Sequence, residues 1–509
     1  MKIFCRALLL LLWPIGAFAG GATIRIDVDR VVDEVDPRIY GVFMEPIGFN
    51  RPDLRFNTLY GPVYDPASPL ADANGFKKDI VEAARELQIT QMRWPGGNFT
   101  ASYDWRDGIG PKDKRPKRRE LAWGVVEPNQ VGTDEWVQLN RAIGSENVVC
   151  INGGTGTIME AANWVEYCNA PQGSYWADKR AEYGHPEPYA IQYWDLGNEV
   201  DGAPWIMAHK DAEDYVKFAL EAAKAMRKSS PGTDLHLVAS GSSWYKDDID
   251  WVEWNWKVIK ALYGIADYVS IHRYWENSDD YYVLLGQRAM DLDEKITVTA
   301  NQIKAVSAVR KGKPMYVSLD EWAPPFRGGH LSTLATAQYF NAFLRHADVL
   351  KMANFTALSG ILGRDPKTGA TYKSPLFHVF KLFSTRCRGA SLDAFVRSDT
   401  FRTSDYYTRI PYLDVTAVYD KGAKRVVLNV VNRHKDQAIE TDIESVAGAF
   451  KGPAEISLIT SPDVDNKPYS YENRDAYAPR TETAPASGKT FRFAFPPHSF
   501  TQVVVGVER

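Results

Sequence analysis

From about residue 38 to residue 365, the chain alternates short, nearly continuous apolar runs with longer segments whose apolar residues recur at helical spacing. Such apolar runs are typical of parallel strands that helices cover on both faces. We predict eight of these strands, at residues 38–45, 88–94, 147–153, 193–199, 235–241, 268–275, 314–322 and 349–360. Eight strand–helix units are what a (β/α)8 TIM barrel requires, so the pattern predicts this α/β fold. A doubly wound sheet is the alternative, but the glycine-rich stretch NGGTGT at 152–157 lacks the third glycine of a dinucleotide-binding fingerprint.

After about residue 375, apolar and polar residues alternate with the period of two that is typical of half-buried strands. Residues 412–433 contain two such runs around Asp420-Lys421-Gly422, which predicts a β-hairpin. Residues 491–507 read as a further strand pair that is broken by prolines, and the polar, proline-rich stretch 461–488 reads as a long surface loop. The C-terminal part of the chain is therefore predicted to be a β-sandwich.

The segment TIRIDVDRVVDEVD at 23–36 has the same alternation and precedes the first predicted barrel strand. We expect it to pair with strands of the C-terminal domain, because its period matches theirs. The β-sandwich C-terminal domain would then be completed by an N-terminal strand. The predicted domains are a signal peptide at 1–19, a catalytic barrel at 37–370, and a sandwich built from 20–36 together with 371–509.

The first residues have the pattern of an export signal. Lys2 and Arg6 precede an apolar run with five consecutive leucines, and Ala17-Phe18-Ala19 supplies a small-x-small cleavage site. The run is too short to span a bilayer, so no membrane partner is expected. The sequence therefore predicts export through an N-terminal signal peptide, to the periplasm or the cell exterior.

Composition narrows the function classes. Charged residues are 24% and hydrophobic residues 45% of the chain, and the net charge is −4, which is ordinary for a globular protein and unfavourable for binding nucleic acid. Beyond Cys5, the cysteines are Cys150, Cys168 and Cys387, for which one disulfide and three buried thiols stay open as alternatives. The sequence shows no metal-ligand spacing, so we expect no metal or other cofactor.

The ends of the predicted strands carry candidate chemistry, because barrel enzymes work at the carboxyl ends of their strands. These ends, together with Asn98 just beyond the second strand, bring together Glu45, Arg93, Asn98, Asn198, Glu199, His272, Tyr274 and Glu321. Converging polar groups are hard to explain as packing, because an unpaired buried polar group costs free energy. Glu199 and Glu321 end the fourth and seventh strands, roughly opposite each other across the barrel. Two facing carboxyls are what glycoside hydrolysis needs.

Several segments in order resemble glycoside hydrolase family 51, the α-L-arabinofuranosidases. They are MRWPGGNFTASYDWRDGIGP (92–111), WVEYCN (164–169), GSYWADKR (173–180), LGNEVDG (196–202), SLDEW (318–322) and FPPHSFT (495–501). The chain departs from the family in EWAPPF, where an Asn and a second Trp are usual after the glutamate and first Trp, and in LSGILG, where the usual glutamine of the eighth strand is not found. The first of these departures concerns the leaving-group side of the site.

The resemblance implies an exo-acting retaining mechanism, with Glu199 as acid/base and Glu321 as nucleophile. It implies a glycone pocket lined by Glu45, Arg93, Asn98, Asn198, His272 and Tyr274, with Trp105 packed beside it. The expected substrates are arabinofuranosyl-containing glycans such as arabinoxylan or arabinan. A homo-oligomer stays open. So do the same chemistry on another sugar, as in an endo-glucanase, a β-xylosidase or another furanosidase, and a non-catalytic carbohydrate-binding protein.

Simpler roles remain open for individual residues. Glu45 could be a salt-bridged residue at the barrel end, Arg93 could hold a carboxylate without touching sugar, and Trp105 could be core. We assign His272 to orientation and not to proton transfer, and expect Asp320 to point to the opposite side of the strand from Glu321. The carboxyls of Glu199 and Glu321 should lie about 5–5.5 Å apart, the retaining spacing. Because a nucleophile must be ionised, Arg93 and Tyr274 should lie nearer Glu321 than Glu199.

Overall fold

The structure is a computed structural model that describes residues 21–46, 63–202, 207, 209–244, 250–325, 329–365, 367–462, 464, 469–476 and 478–508. The predicted signal peptide at 1–19 lies outside these residues. Among the residues described, no helix is both long enough and apolar enough to be a membrane span. Cys150, Cys168 and Cys387 are buried free thiols, which decides between the two alternatives for the cysteines.

Eight parallel strands close into a barrel, which confirms the predicted fold class. In chain order they are Gly41–Phe43, Gln91–Trp94, Glu146–Cys150, Tyr193–Asp195, His236–Ala239, Tyr268–Tyr274, Tyr316–Ala323 and Leu350–Thr356. Each strand pairs with the next in the chain, and the eighth pairs with the first through Asn354 and Gly41. The apolar runs are nearly continuous because both faces of these strands are buried, one in the barrel interior and one under helices.

The main helices of the barrel follow its strands. They are Lys78–Glu86, Thr133–Ile143, Ile158–Asn169, Tyr175–Glu182, Ala212–Lys228, Trp251–Leu262, Arg288–Ser307, Gly329–Arg345 and Pro375–Arg386, and a single turn, Leu358–Ile361, precedes the last. Ala212–Lys228 illustrates why they form. The Asp211 side chain caps the first turn by accepting the N–H of Asp214 at 2.8 Å, and one face, including Tyr215 and Met226, is buried.

Most of the described C-terminal strands form two sheets around their own apolar cluster, and Thr400–Phe401 and Ile410–Pro411 form a separate two-stranded sheet. In the larger sheet the strand order is Val31–Glu34, Ala390–Leu392, Leu413–Asp420, Arg425–Asn432, Ser499–Glu508, Ala449–Ile459, Arg480–Ala484. The short strand Ser487–Gly488 also pairs with Ala449–Ile459. In the smaller sheet the strand order is Phe395–Arg397, Ala22–Ile26, Ile439–Ser445, Thr490–Phe495. The pairing expected for residues 23–36 is therefore confirmed, since both N-terminal strands pair with C-terminal ones.

Three details differ from the sequence predictions. The strands at 490–495 and 499–508 do not pair with each other, because the prolines between them carry the chain from one sheet to the other. Strands also form at the end of the predicted loop 461–488; their residues are mostly exposed, so they lack the alternation that signals a strand. Finally, the helix Pro375–Arg386 packs against the barrel helix Gly329–Arg345. We propose that the barrel extends to the end of this helix, beyond residue 370.

Candidate active site

A buried arginine on the second barrel strand organises the mouth of the barrel. Arg93 has no exposed side-chain surface, and its Nη1 donates to Glu321 Oε1 at 2.9 Å. Its Nη2 donates to Asn198 Oδ1 at 2.7 Å, and its Nε donates to Asp195 Oδ2. Arg93 thus joins the ends of the second, fourth and seventh strands through one guanidinium group.

A β-bulge in the seventh strand sets the directions of its two acidic residues. Ser270 of the sixth strand pairs with Ser318, but His272 pairs with Glu321, so the seventh strand contains one extra residue over this interval. As a result Asp320 Oδ2 lies 4.0 Å from Arg93 Nε, although Glu321 contacts the same guanidinium. The expectation that Asp320 points away from Glu321 is therefore wrong, because strict alternation does not hold across a bulge.

Glu321 has a second donor on its other oxygen. Tyr274 Oη donates to Glu321 Oε2 at 2.6 Å and lies 3.0 Å from Thr356 Oγ1, at the end of the eighth strand. Burial and the charge of Glu321 raise the pKa of Tyr274 well above its usual value, so the phenol keeps its proton. Arg93 and Tyr274 both donate a hydrogen bond to Glu321, which agrees with the prediction that both lie near this glutamate.

Glu199 lies just beyond the fourth strand in a turn whose backbone enters the left-handed region at Gly197 (φ 107°) and at Glu199 itself (φ 45°). A positive φ is uncommon for a residue other than glycine and is often found at functional sites. His272 Nδ1 lies 3.0 Å from Glu199 Oε1 and 3.7 Å from Glu321 Oε2. Burial lowers the pKa of His272. The charge of Glu321 and the hydrogen bond to Glu199 raise it by a larger amount, so the net shift is upward.

The two candidate catalytic carboxylates are close. One oxygen of Glu199, one of Glu321 and a ring nitrogen of His272 all lie within 4.8 Å of one another. This close approach of one oxygen pair agrees with the short separation of about 5–5.5 Å expected between the carboxyl groups of a retaining pair. Three such residues could also hold a metal ion; here their side chains hydrogen-bond to one another and to Arg93 and Tyr274.

Glu45 approaches Glu321 from the first strand. Its Oε1 accepts the backbone N–H of Phe99 and the indole N–H of Trp123, both at 2.9 Å. Gly97 passes between the two acids, since a Cβ there would lie 3.0 Å from Glu45 Oε2 and 3.1 Å from Glu321 Oε1. A side chain at residue 97 would therefore fill the space between these carboxyl groups.

The site is crowded with acids. Five carboxyl groups lie at the barrel mouth that Arg93 organises, namely Glu45, Asp195, Glu199, Asp320 and Glu321. Burial, with the charges of Glu321 and Glu199, raises the pKa of Glu45 to about 8. Burial and the charge of Asp320 raise that of Asp195 to about 7. Glu45 is thus protonated at neutral pH, which limits repulsion around Glu321.

Two amide atoms in this site have no hydrogen-bond partner among the described residues. Asn98 Oδ1 and Asn198 Nδ2 are both buried and unpaired there. An orphaned buried donor or acceptor is costly unless a ligand or water satisfies it. One acceptor and one donor are therefore available for hydroxyl groups of a bound molecule.

Trp105 lies apart from the carboxylates. It is buried, its ring stacks on Trp164 with centroids 5.9 Å apart, and its indole N–H donates to the carbonyl of Glu160 at 3.1 Å. It also packs against Trp176. These contacts fit the simpler alternative for Trp105, a core residue in the aromatic layer behind the second and third strands.

Sequence reasoning missed three contributors to the site: Trp123, Asp195 and Thr356. Asp195 lies inside a predicted strand, where an acid carries no signal of its own. Thr356 is at the true end of the eighth strand, and the strand-end criterion would have found it had the strand not been extended to residue 360. Trp123 reaches Glu45 from the turn of the short hairpin Arg118–Arg119 and Val126–Glu127, which no local pattern connects to the barrel mouth.

The chain is similar to proteins of known family. It matches the family described as Alpha-L-arabinofuranosidase 1 domain over residues 83–288, and the one described as Alpha-L-arabinofuranosidase C-terminal domain over residues 329–499. It is 35% identical over 448 residues to the intracellular exo-α-(1→5)-L-arabinofuranosidase 1 of Bacillus subtilis (strain 168), covering 83% of this chain and 86% of the relative. The corresponding enzyme of Halalkalibacterium halodurans is 34% identical over 455 residues, covering 84% and 88%.

Comparison with solved structures also finds α-L-arabinofuranosidases. The thermostable GH51 α-L-arabinofuranosidase of Thermotoga petrophila RKU-1 superposes with a TM-score of 0.83 at 31% sequence identity, covering 95% of this chain and 99% of that one. The likeness thus extends over the barrel and the sandwich together.

The same comparisons correct the prediction of export. Both relatives above are named intracellular enzymes, which contradicts the expected periplasmic or extracellular location. The export prediction depended on nineteen N-terminal residues, whereas the similarity to the first relative extends over 448 residues. A short apolar run that follows two basic residues is much weaker evidence than a similarity of this length.

Proposed function

Because the chain belongs to glycoside hydrolase family 51, the α-L-arabinofuranosidases, we propose that Glu321 and Glu199 carry out a double displacement at the mouth of its barrel. The protein is an exo-acting, retaining α-L-arabinofuranosidase. The observation that supports these residue roles is the close pair of carboxylates with unlike surroundings. Arg93 and Tyr274 donate to Glu321, whereas Glu199 contacts His272.

In the first step the Glu321 carboxylate attacks the anomeric carbon, and the bond from that carbon to the leaving oxygen breaks. Glu199 gives its proton to the departing oxygen. In the second step Glu199 takes a proton from water, the water oxygen attacks the anomeric carbon, and the bond to Glu321 breaks. Arabinose leaves with its configuration retained, and Glu199 is protonated again.

The remaining groups orient the sugar and hold Glu321 in place. Asn98 Oδ1 and Asn198 Nδ2 bind hydroxyls of the arabinofuranosyl ring, and the protonated Glu45 donates a hydrogen bond to it. Arg93 acts through Glu321, since its guanidinium is fully buried against protein groups. The substrates are glycans with terminal α-L-arabinofuranosyl residues, such as arabinan or arabinoxylan, and the names of the relatives favour α-(1→5)-linked ends.

Azide rescue of Glu199→Ala and Glu321→Ala tests the two roles. Glu321→Ala should lose turnover of every substrate, because no covalent intermediate can form. Glu199→Ala should retain the first step on aryl arabinofuranosides with good leaving groups and show a burst, since the second step lacks its base. Azide needs no base, so it should restore turnover of Glu199→Ala and yield a glycosyl azide of retained configuration. A retained azide product from Glu321→Ala would mean that the roles are reversed, and a preference for pyranosides in a substrate panel would overturn the sugar assignment.

A further inference from the structure

A fully buried lysine lies behind the acid/base side of the barrel mouth. Lys295 is on the helix Arg288–Ser307, and none of its surface is exposed. Its Nζ donates to the carbonyl oxygens of Ser242 and His272, each at 3.0 Å, and to that of Trp244. An ammonium group has three N–H donors, so these three carbonyls satisfy it completely.

The three carbonyls belong to neighbouring parts of the barrel end. Ser242 and Trp244 follow the fifth strand, and His272 lies on the sixth. Lys295 therefore fixes the segment after the fifth strand to the backbone of the residue whose ring holds Glu199.

The same segment is also attached to the turn that carries Glu199. Asp201, two residues after Glu199, accepts the backbone N–H of Ser243 at 2.8 Å and the Ser243 hydroxyl at 2.7 Å. The contacts close a ring. It runs from Glu199 to Asp201 and Ser243, through the neighbouring Ser242 and Trp244 to Lys295, and through His272 back to Glu199.

The ring has an energetic cost that packing alone does not require. An isolated buried charge is strongly unfavourable, and burial lowers the pKa of Lys295 to about 7 although Asp201 opposes the shift. A methionine would fill similar space without this cost. The lysine therefore contributes its hydrogen bonds, which a purely apolar side chain cannot replace.

We propose that Lys295 is a positioning residue for Glu199, acting through the backbone of His272 and the Ser243–Asp201 contact. This inference rests on the proposed role of Glu199 as acid/base. Lys295 fixes both the histidine that contacts the Glu199 carboxyl and the turn that carries its backbone. Proton transfer to a poor leaving group needs this alignment, whereas departure of a good leaving group does not.

The test compares Lys295→Met with Lys77→Met. Lys77 is the matched control, because it is also buried and its Nζ donates to a backbone carbonyl, that of Gly369 at 2.9 Å, without contact to Glu199. Activity is measured near pH 6, where Lys295 is protonated, on an arabino-oligosaccharide and on a dinitrophenyl arabinofuranoside with azide. For Lys295→Met we expect kcat on the oligosaccharide to fall about 100-fold, whereas KM for the oligosaccharide should change by less than about 3-fold. The kcat on the dinitrophenyl arabinofuranoside should also change by less than about 3-fold. For Lys77→Met we expect kcat to change by the same factor on both substrates.

Ser243→Ala opens the ring at a second point and keeps the lysine. It should show the same selective loss at smaller size, about 5-fold, and so provides the test if Lys295→Met does not fold. An equal loss on both substrates in both ring variants, or no loss in either, would overturn the proposal. Glu199→Ala in the same assay tests the role of Glu199 separately from the role of Lys295. If Glu199→Ala is selective and Lys295→Met is not, only the role of Lys295 is wrong; if Glu199→Ala itself is not selective, the role of Glu199 is wrong and this proposal with it.

Discussion

The two sides of the barrel mouth hold their glutamates in different ways. Glu321 lies within the seventh barrel strand, its side chain is 6% exposed, and Arg93 and Tyr274 each donate to one of its oxygens. Glu199 is in a turn with a positive φ, its side chain is 15% exposed, and its carboxylate contacts His272. A nucleophile needs one position and one charge state, whereas an acid/base must release and regain a proton in each cycle. The structure therefore holds Glu321 with two direct donors, and Glu199 with one ring contact and the backbone of its turn.

The largest expected effect comes from removing the cation on the Glu321 side. Arg93→Met should lower kcat by about 1,000-fold or more for all leaving groups, because Glu321 loses both its charge partner and its orientation. It should also lower the free energy of unfolding by about 3–5 kcal/mol, since Asp195, Asp320 and Glu321 remain buried without their cation. Steady-state kinetics and denaturant unfolding measure the two effects.

Arg345→Met is the control for that change. Arg345 pairs with Asp414 at 2.6 Å and with Asp293 at 3.0 Å, away from the carboxylates of the mouth. It should lose stability and keep kcat. Wild-type kcat in a destabilised Arg93→Met would show that the arginine is purely structural, and the contrast between the two sides would fail.

A smaller effect is expected for Tyr274→Phe. Removing one hydrogen bond to a charged oxygen should lower kcat about 10-fold, and equally for good and poor leaving groups, because the nucleophile serves them all. Tyr167→Phe, which removes a buried hydroxyl bonded to Asp134 at 2.8 Å, should leave kcat unchanged. A loss confined to poor leaving groups would place Tyr274 functionally with Glu199.

The smallest effect at neutral pH is expected for Glu45→Gln, which copies the protonated acid. Activity at pH 6 should stay within about 3-fold of the wild type, because the amide keeps one acceptor and one donor. The folded-state pKa of Glu45, about 8, lies above the unfolded value, so the stability linked to its proton is complete below about pH 4.5 and is lost as the pH rises through 8. The melting temperature of Glu45→Gln relative to wild type should therefore increase across this window, and its activity should persist above pH 8.

Glu127→Gln separates these two effects of Glu45→Gln. Burial also raises the pKa of Glu127, to about 7, but this carboxylate accepts the N–H of Asn129 at 2.7 Å and does not contact the other acids of the mouth. Its melting temperature should follow a similar trend with pH, without the change in the activity profile. If the melting temperatures of wild type and Glu45→Gln change with pH in the same way, Glu45 is ionised in the folded protein.

The sequence predicts the parts of the fold that depend on repeated local patterns. All eight barrel strands were located because burial on both faces leaves a continuous apolar run, and the hairpin around Asp420-Lys421-Gly422 because its turn chemistry is local. The convergence of Glu45, Arg93, Glu199, His272, Tyr274 and Glu321 followed from one topological rule, that strand ends share a face.

What the sequence could not predict depends on contacts between distant segments. The direction of Asp320 requires the bulge, which appears only in the register between the sixth and seventh strands. The bond from Trp123 to Glu45 depends on how a loop folds back over the mouth. Lys295 reads as an ordinary helix residue, because lysine is usually exposed and its three carbonyl partners come from two other elements.

The position of the strand Ala22–Ile26 has a consequence for how the protein is made. Its sheet neighbours, Phe395–Arg397 and Ile439–Ser445, follow it by roughly 370 and 410 residues, which at about 5–20 residues per second is on the order of 20–80 s of synthesis. During this interval the barrel strands emerge and can close, while Ile24 and Ile26, both buried in the finished protein, remain without their partners. The first strand of the described residues is thus among the last to be ordered, and over that time a nascent chain carries an unpaired apolar edge on which chaperones or neighbouring chains can act.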